Sequence, residues 1–186
     1  AISLNVPANG FVTASTTVDG AELDDDGKYY AYYGATVEIN VEVSEGYTWK
    51  NWTIAGVEVS DNTEEPIEFT MPANVVTVTP VAEQNEYILI YDANYPVDTL
   101  STKGGSMENS DLTYDVEFEL PECGYTLTGY KILGWNTDKD AAIAGTATYA
   151  YTYEDDEIVE NPKVKNLTSV AGDKVTLYAV WEAQDE

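Results

Sequence analysis

Carboxylates are the most abundant chemically reactive side chains in this sequence. There are 34 Asp and Glu against 8 basic residues, all of them Lys, and no His, for a net charge of −26. Without His there is no imidazole base, no His-dependent triad and no Cys/His zinc site. The single cysteine, Cys123, forbids an internal disulfide. No basic partner stands beside it in Leu120-Pro121-Glu122-Cys123-Gly124 to favour a thiolate, so it reads as a small apolar side chain. Paired carboxylates can cleave glycosidic bonds, but that requires a deep cleft, which modules of this size rarely provide. No Gly-rich phosphate loop, nucleophile elbow or metal-ligand spacing is present. The expectation is a protein that is not an enzyme and uses no cofactor. Phosphate backbones are bound by clustered Lys and Arg, so nucleic acid is not an expected partner. No apolar run reaches the roughly 18 residues of a membrane helix, so direct membrane insertion is not expected either.

Three groups of residues are candidates for binding. Glu22-Leu23-Asp24-Asp25-Asp26-Gly27 sets Glu22, Asp24 and Asp26 at alternating positions before a glycine, as a calcium loop does. The bidentate Glu that such a loop needs twelve positions in is replaced by Tyr33, and Asp26-Gly27 ahead of a Tyr-rich stretch is more simply a hairpin turn. Glu154 to Glu157 are adjacent rather than alternating carboxylates and read as a solvated loop. Tyr149, Tyr151 and Tyr153 alternate, which places them on one face of a strand. Tyrosine suits contact surfaces, so this trio is the candidate ligand contact; the competing reading packs it against its own sheet. Tyr29, Tyr30, Tyr32 and Tyr33 around Ala31 form a second stripe with the same two readings. Trp49 stands three residues before Trp52, which puts the two on opposite faces of a regular strand and leaves one open to contact. Trp52, Trp135 and Trp181 are expected in cores, because small modules need their large rings inside.

The elements that must carry these residues are strands. Val37-Glu38-Ile39-Asn40-Val41-Glu42-Val43 alternates apolar and polar side chains, the pattern of a half-buried strand. Tyr87-Ile88-Leu89-Ile90-Tyr91 suits a central strand and Val175 to Trp181 a closing one. Turn signals separate the runs, among them Asn9-Gly10, Asp19-Gly20, Asp26-Gly27, Glu45-Gly46 and Gly172-Asp173. The best helical candidate is a short turn within Ser110 to Phe118, although Val116 to Leu120 reads equally well as strand.

The landmarks occur twice. Gly46-Tyr47 precedes Trp52 at the same interval as Gly129-Tyr130 precedes Trp135, and each half closes with a matching run, Val75 to Glu83 and Lys174 to Glu182. The chain therefore divides into one module at 1–82, a polar joint at 83–85 and a second module at 86–186. Between Trp and closing strand the second module is sixteen residues longer than the first, and the unshared stretch from Ala141 to Glu160 is the expected place for a distinctive contact. A joint this short points to an elongated, semi-rigid pair. A first residue other than Met reads as an excised piece of a longer protein.

Several blocks in order carry a family resemblance: Tyr91-Asp92-Ala93-Asn94, Gly129-Tyr130-Lys131-Ile132-Leu133-Gly134-Trp135-Asn136, Val164-Lys165-Asn166-Leu167-Thr168 and Val175-Thr176-Leu177-Tyr178-Ala179-Val180-Trp181. Residues 86–183 resemble the internalin B-repeat, also called the Listeria–Bacteroides repeat. Tyr95-Pro96 stands where that repeat has a glycine pair, so the turn there should differ. Tyr33-Gly34-Ala35-Thr36-Val37, Gly46 to Trp52 and Phe69-Thr70-Met71-Pro72-Ala73-Asn74 make residues 1–83 resemble the divergent form of the same repeat. The resemblance implies a mainly β chain of two tandem small modules, the second β-grasp-like with at most a short helical turn. It further implies an extracellular place, secreted or on the bacterial cell surface and its wall. There the chain would be a non-enzymatic spacer or adhesion module beside neighbouring repeats, touching a host or cell-surface protein or glycan. The alternative function is a carbohydrate-binding module that uses the Tyr stripes beside acidic groups.

Overall fold

Short strands separated by glycine turns build two units, Ala1–Gln84 and Asn85–Glu186, each around its own apolar core. The computed structural model describes residues 1–5, 11–12, 17–97 and 99–185; the Asn9-Gly10 turn signal lies outside the described residues.

In the first unit the strands are β1 (Ile2–Leu4), β2 (Thr17–Asp19), β3 (Glu22–Leu23), β4 (Tyr29–Tyr30), β5 (Thr36–Asn40), β6 (Tyr47–Ala55), β7 (Ile67–Thr70) and β8 (Val76–Gln84). One sheet has the order β3-β4-β1-β8-β6 and the other β2-β5-β7. Alternation along β5 turns Val37 and Ile39 inward, and β7 does the same with Ile67 and Phe69. They meet Ile2, Trp52, Val76 and Val78 of the larger sheet, so the core is the layer between the two sheets. The polar residues Glu83 and Gln84 extend β8, so only Asn85 separates it from the strand that begins at Glu86.

The second unit contains β9 (Glu86–Asp92), β10 (Lys103–Gly105), β11 (Ser110–Thr113), β12 (Phe118–Glu119), β13 (Tyr125–Leu127), β14 (Tyr130–Asn136), α1 (Lys139–Ile143), β15 (Tyr149–Ala150), β16 (Thr152–Glu154), β17 (Glu157–Glu160), β18 (Lys163–Val164) and β19 (Lys174–Ala183). Its main sheet runs β11-β9-β19-β14-β15. Tyr87, Leu89, Tyr91, Trp135 and Leu177 fill its core with Leu112, Leu120 and Tyr151. The Ser110 to Phe118 region is extended rather than helical: β11 pairs with β9, which keeps its backbone in the ladder. The helix lies instead at Lys139–Ile143. There Asp138 caps it, accepting from the amides of Asp140 and Ala141 at 2.9 and 3.0 Å, and Gly145 follows it with φ 86°.

The two units share one plan. In each, the first strand lies parallel to the last, β1 on β8 and β9 on β19, and the Gly-Tyr…Trp strand pairs antiparallel with that last strand. The repeat extends to an irregularity. Trp49 faces Ala82 and Asn51 faces Val81, leaving Lys50 as the extra residue of a bulge. Ile132 faces Trp181 and Gly134 faces Val180, leaving Leu133 in the same place, four residues after the glycine. A bulge inserts one residue and shifts the alternation of the strand. This overturns the expectation that Trp49 and Trp52 face opposite sides: they lie on one face, ring centroids 4.9 Å apart and edge-on at 64°.

Candidate functional site

The alternating tyrosines are where the structure departs most from a contact surface. β15 pairs with β14, Tyr149 opposite Trp135 and Ala150 opposite Gly134. The two backbones come so close that a Cβ on Gly134 would stand 2.2 Å from the Tyr149 carbonyl oxygen. Tyr151 follows into the core and is 6% exposed. Its hydroxyl accepts from Trp135 Nε1 at 2.9 Å and donates to the Pro121 carbonyl at 2.7 Å. Burial holds its pKa well above the ordinary tyrosine value. Tyr153 donates to the Ile132 carbonyl, with Lys131 Nζ 3.8 Å above its ring. All three rings pack against the core, Tyr149 and Tyr153 from its margin. Of the trio, Tyr151 is corrected outright: it is an internal hydrogen-bonding post and offers no face to a ligand.

The reason lies in the edge of β14. Its outer backbone groups need partners, and the longer segment supplies them: Thr148 N donates to Trp135 O at 2.9 Å and Tyr151 N to Leu133 O at 3.0 Å. In the first unit a shorter loop does this work for β6. Trp52 N donates to Asn62 O at 2.7 Å, Asn62 Nδ2 to Trp52 O at 3.0 Å, and the indole nitrogens of Trp49 and Trp52 donate to the Thr63 and Glu64 carbonyls, each at 2.8 Å. Trp49, a candidate contact, is thus half-buried and hydrogen-bonded to this loop. Trp52 and Trp135 are both fully buried. At 150–250 Å² each, burial of such rings contributes about 4–6 kcal/mol of transfer free energy per module. Trp181 differs from these two. It is partly buried, donates Nε1–H to the Ala93 carbonyl at 2.7 Å, and stacks on Tyr95 at 5.8 Å. The turn with Tyr95-Pro96 in place of a glycine pair uses Tyr95 as this lid, its hydroxyl donating to Gly104 O at 2.8 Å.

The acidic turn is a hairpin tip. Asp24 N donates to Lys28 O at 2.9 Å and Gly27 N to Asp24 O at 3.0 Å. Asp24 Oδ1 accepts the amide of Asp25, and Asp26 accepts the amide of Lys28 and the hydroxyl of Tyr30, the last at 2.6 Å. The Tyr30 hydrogen bond lowers the Asp26 pKa and raises that of Tyr30. Glu22, Asp24 and Asp26 do not converge as calcium ligands, and no group of three potential ligands is gathered among the described residues. Local hydrogen bonds from backbone amides and a hydroxyl engage Asp24 Oδ1 and both Asp26 oxygens. Cys123 is half-buried, and burial pushes its thiol up to about 11.

What the structure does bring together is an open groove of about 630 Å³ on the second unit. Tyr125, Tyr130, Tyr153 and Trp181 supply aromatic walls, and Glu122, Asp156 and Glu157 supply carboxylates. Lys131 bridges the two sets, 3.1 Å from Asp156 and over the Tyr153 ring. Only Tyr153 of the expected contact residues lines it. Tyr125 and Tyr130 were hidden in the sequence because Tyr130 belongs to the folding landmark. The bulge at Leu133 and the pairing of Tyr130 with Ala183 at the end of the sheet leave its ring only half-buried.

Two small β modules that repeat one strand plan, each closed by its own tryptophan, define a tandem β-repeat chain. Residues 3–86 match the family described as the divergent InlB B-repeat domain. No curated protein is significantly similar in sequence to the chain. No helix among the described residues is long and apolar enough to cross a membrane.

Proposed function

We propose that the chain is a non-enzymatic module of an extracellular bacterial surface protein, serving as spacer and display element. The observation that carries this reading is the repetition itself. The divergent InlB B-repeat at residues 3–86 is followed by a second unit with the same parallel first-to-last pair, the same antiparallel Trp strand and the same bulge. Conserving a plan down to a bulge while varying surface residues suits a structural unit used in series. The side-chain chemistry supports the absence of catalysis: the chain lacks His, and its thiol is held protonated. The test is surface labelling. Antibodies raised against the chain should stain intact source cells, and external protease should release it; staining only after lysis would overturn the reading.

A second reading, carbohydrate contact, is favoured by the groove. Partly exposed aromatic rings beside carboxylates suit a sugar, whose apolar faces stack while its hydroxyls hydrogen-bond. Affinity electrophoresis of the chain in gels containing cell-wall and host polysaccharides tests this. Retardation that is lost in Tyr130→Ala supports it, and free migration in every gel removes it.

A further inference from the structure

The first unit holds a surface that neither reading uses. Tyr30, Tyr32 and Tyr33 are the aromatics among its exposed large apolar side chains, at 42%, 91% and 81% exposure. Their backbone is nevertheless pinned. Tyr30 lies in β4, paired with β3. Ala35 N donates to Tyr32 O at 3.0 Å, Gly34 N to Met71 O at 2.9 Å and Met71 N to Ala35 O at 2.8 Å. Rings held out on a fixed turn bind with little further ordering cost. Between Tyr30 and Tyr32 lies a recess of about 680 Å³ whose floor is small, Gly20, Ala21, Ala31 and Ala35, and whose wall includes Glu22. The hairpin tip adds Asp24, Asp25 and Asp26, the last accepting the Tyr30 hydroxyl and so setting that side chain's direction.

Charge selects the occupant. The rim is acidic and the chain carries −26 without a single Arg, so a second copy is repelled and an anionic polymer more so. A neutral sugar hydrogen-bonds to carboxylates but leaves their charge uncompensated, whereas in the groove of the second unit Lys131 already offsets Asp156. A guanidinium matches both halves of the surface, stacking on a tyrosine face while its donor fork takes a carboxylate. We propose that this face docks an arginine-bearing basic segment of a partner protein. The proposal stands on the first unit alone and is independent of the groove in the second.

The test uses the full chain and synthetic deca-arginine and deca-lysine peptides, titrated by calorimetry at near-physiological salt. Deca-arginine should bind more tightly than deca-lysine. Tyr32→Ala/Tyr33→Ala should weaken deca-arginine about tenfold, as should Tyr32→Leu/Tyr33→Leu, which keeps apolar bulk but removes the ring face. Glu22→Gln/Asp24→Asn/Asp25→Asn should weaken it at least as much. The charge-matched control Glu154→Gln/Asp155→Asn/Glu160→Gln, in the second unit and outside the proposed face, should stay within about twofold, since it changes net charge alone and long-range attraction is screened by salt. All these side chains are exposed, so the variants should keep the parental melting temperature. Equal losses in both acidic triples with none in the tyrosine pairs would overturn the proposal, leaving general charge attraction. Dimerisation abolished by the tyrosine variants, or a neutral glycan bound at these tyrosines in place of the peptide, would overturn it as well.

Discussion

Tyr151→Phe separates an internal post from a contact residue. The substitution keeps the ring in the core and removes only the hydroxyl. Two partners then lose their bonds: Trp135 Nε1, 2.9 Å away on a side chain that is fully buried, and the Pro121 carbonyl, 2.7 Å away on an exposed residue. The indole N–H has no water to turn to, so it bears the cost of an unsatisfied buried donor, about 1–3 kcal/mol. The carbonyl can rehydrate and adds about 0.5–1 kcal/mol. The sum, about 1.5–4 kcal/mol, corresponds to a urea midpoint lower by about 1–2 M for a transition of ordinary steepness. Fluorescence sums four tryptophans over both units, so the better assay is native-state hydrogen exchange resolved by peptide. Amides of β9, β14 and β19 should lose protection by this amount, while those of β6 and β8 should not change. Tyr149→Phe, which removes a hydroxyl without a hydrogen bond here, should stay within about 0.5 kcal/mol. A Tyr151→Phe effect below about 0.5 kcal/mol, or one spread equally over both units, would refute the buried relay.

Other outcomes follow from the same packing. Gly134→Ala drives a Cβ to within 2.2 Å of the Tyr149 carbonyl oxygen. It should part β15 from β14 at a cost of about 2–3 kcal/mol, read as a melting temperature about 10–20 °C lower for the second unit. Alkali should destabilise the second unit selectively. Tyr151 has a folded pKa raised by burial from 10.0, so its contribution is complete below pH 10 and is lost as pH rises towards the folded value. The loss is about 1.4 kcal/mol per pH unit; denaturation midpoints against pH should bend downward there, less so in Tyr151→Phe. Millimolar calcium or a chelator should leave the melting temperature of the first unit unchanged, because the hairpin carboxylates do not converge; a rise with calcium would contradict that geometry.

Much of the β architecture was legible because strand periodicity is local. The inward turn of Val37 and Ile39, the interior position of Tyr87 to Tyr91 and the pairing of both closing runs can be read from alternation and from the doubled landmarks. The α1 helix was legible in principle: Asp138 is a capping residue before a run rich in Ala, and Gly145 ends it. The longer spacing after Trp135 drew attention to its unshared chemistry instead. The orientation of Trp49 was not legible, since a bulge shows only when the partner strand is in place to count against. Nor were the roles of the two tyrosine stripes, which look alike in sequence. One lies along an unfilled sheet edge and is drawn into the core; the other follows a hairpin whose turn points it outward.

By itself the sequence determined the class of object: two tandem β modules, each carrying a tryptophan for its core, without imidazole chemistry and with a strongly acidic surface. These follow from residue types and short-range spacing, which no fold can change. Tertiary structure alone decided which aromatics face solvent. Tyr151 and Tyr32 sit in similar local patterns, and the difference between 6% and 91% exposure arises from what lies across from them. The edge of β14 supplies Tyr151 with backbone partners and a buried indole to satisfy, whereas the turn at Tyr32 is pinned by its backbone and meets nothing beyond it. Burial is a property of pairs of distant segments, and only the folded chain brings those pairs together.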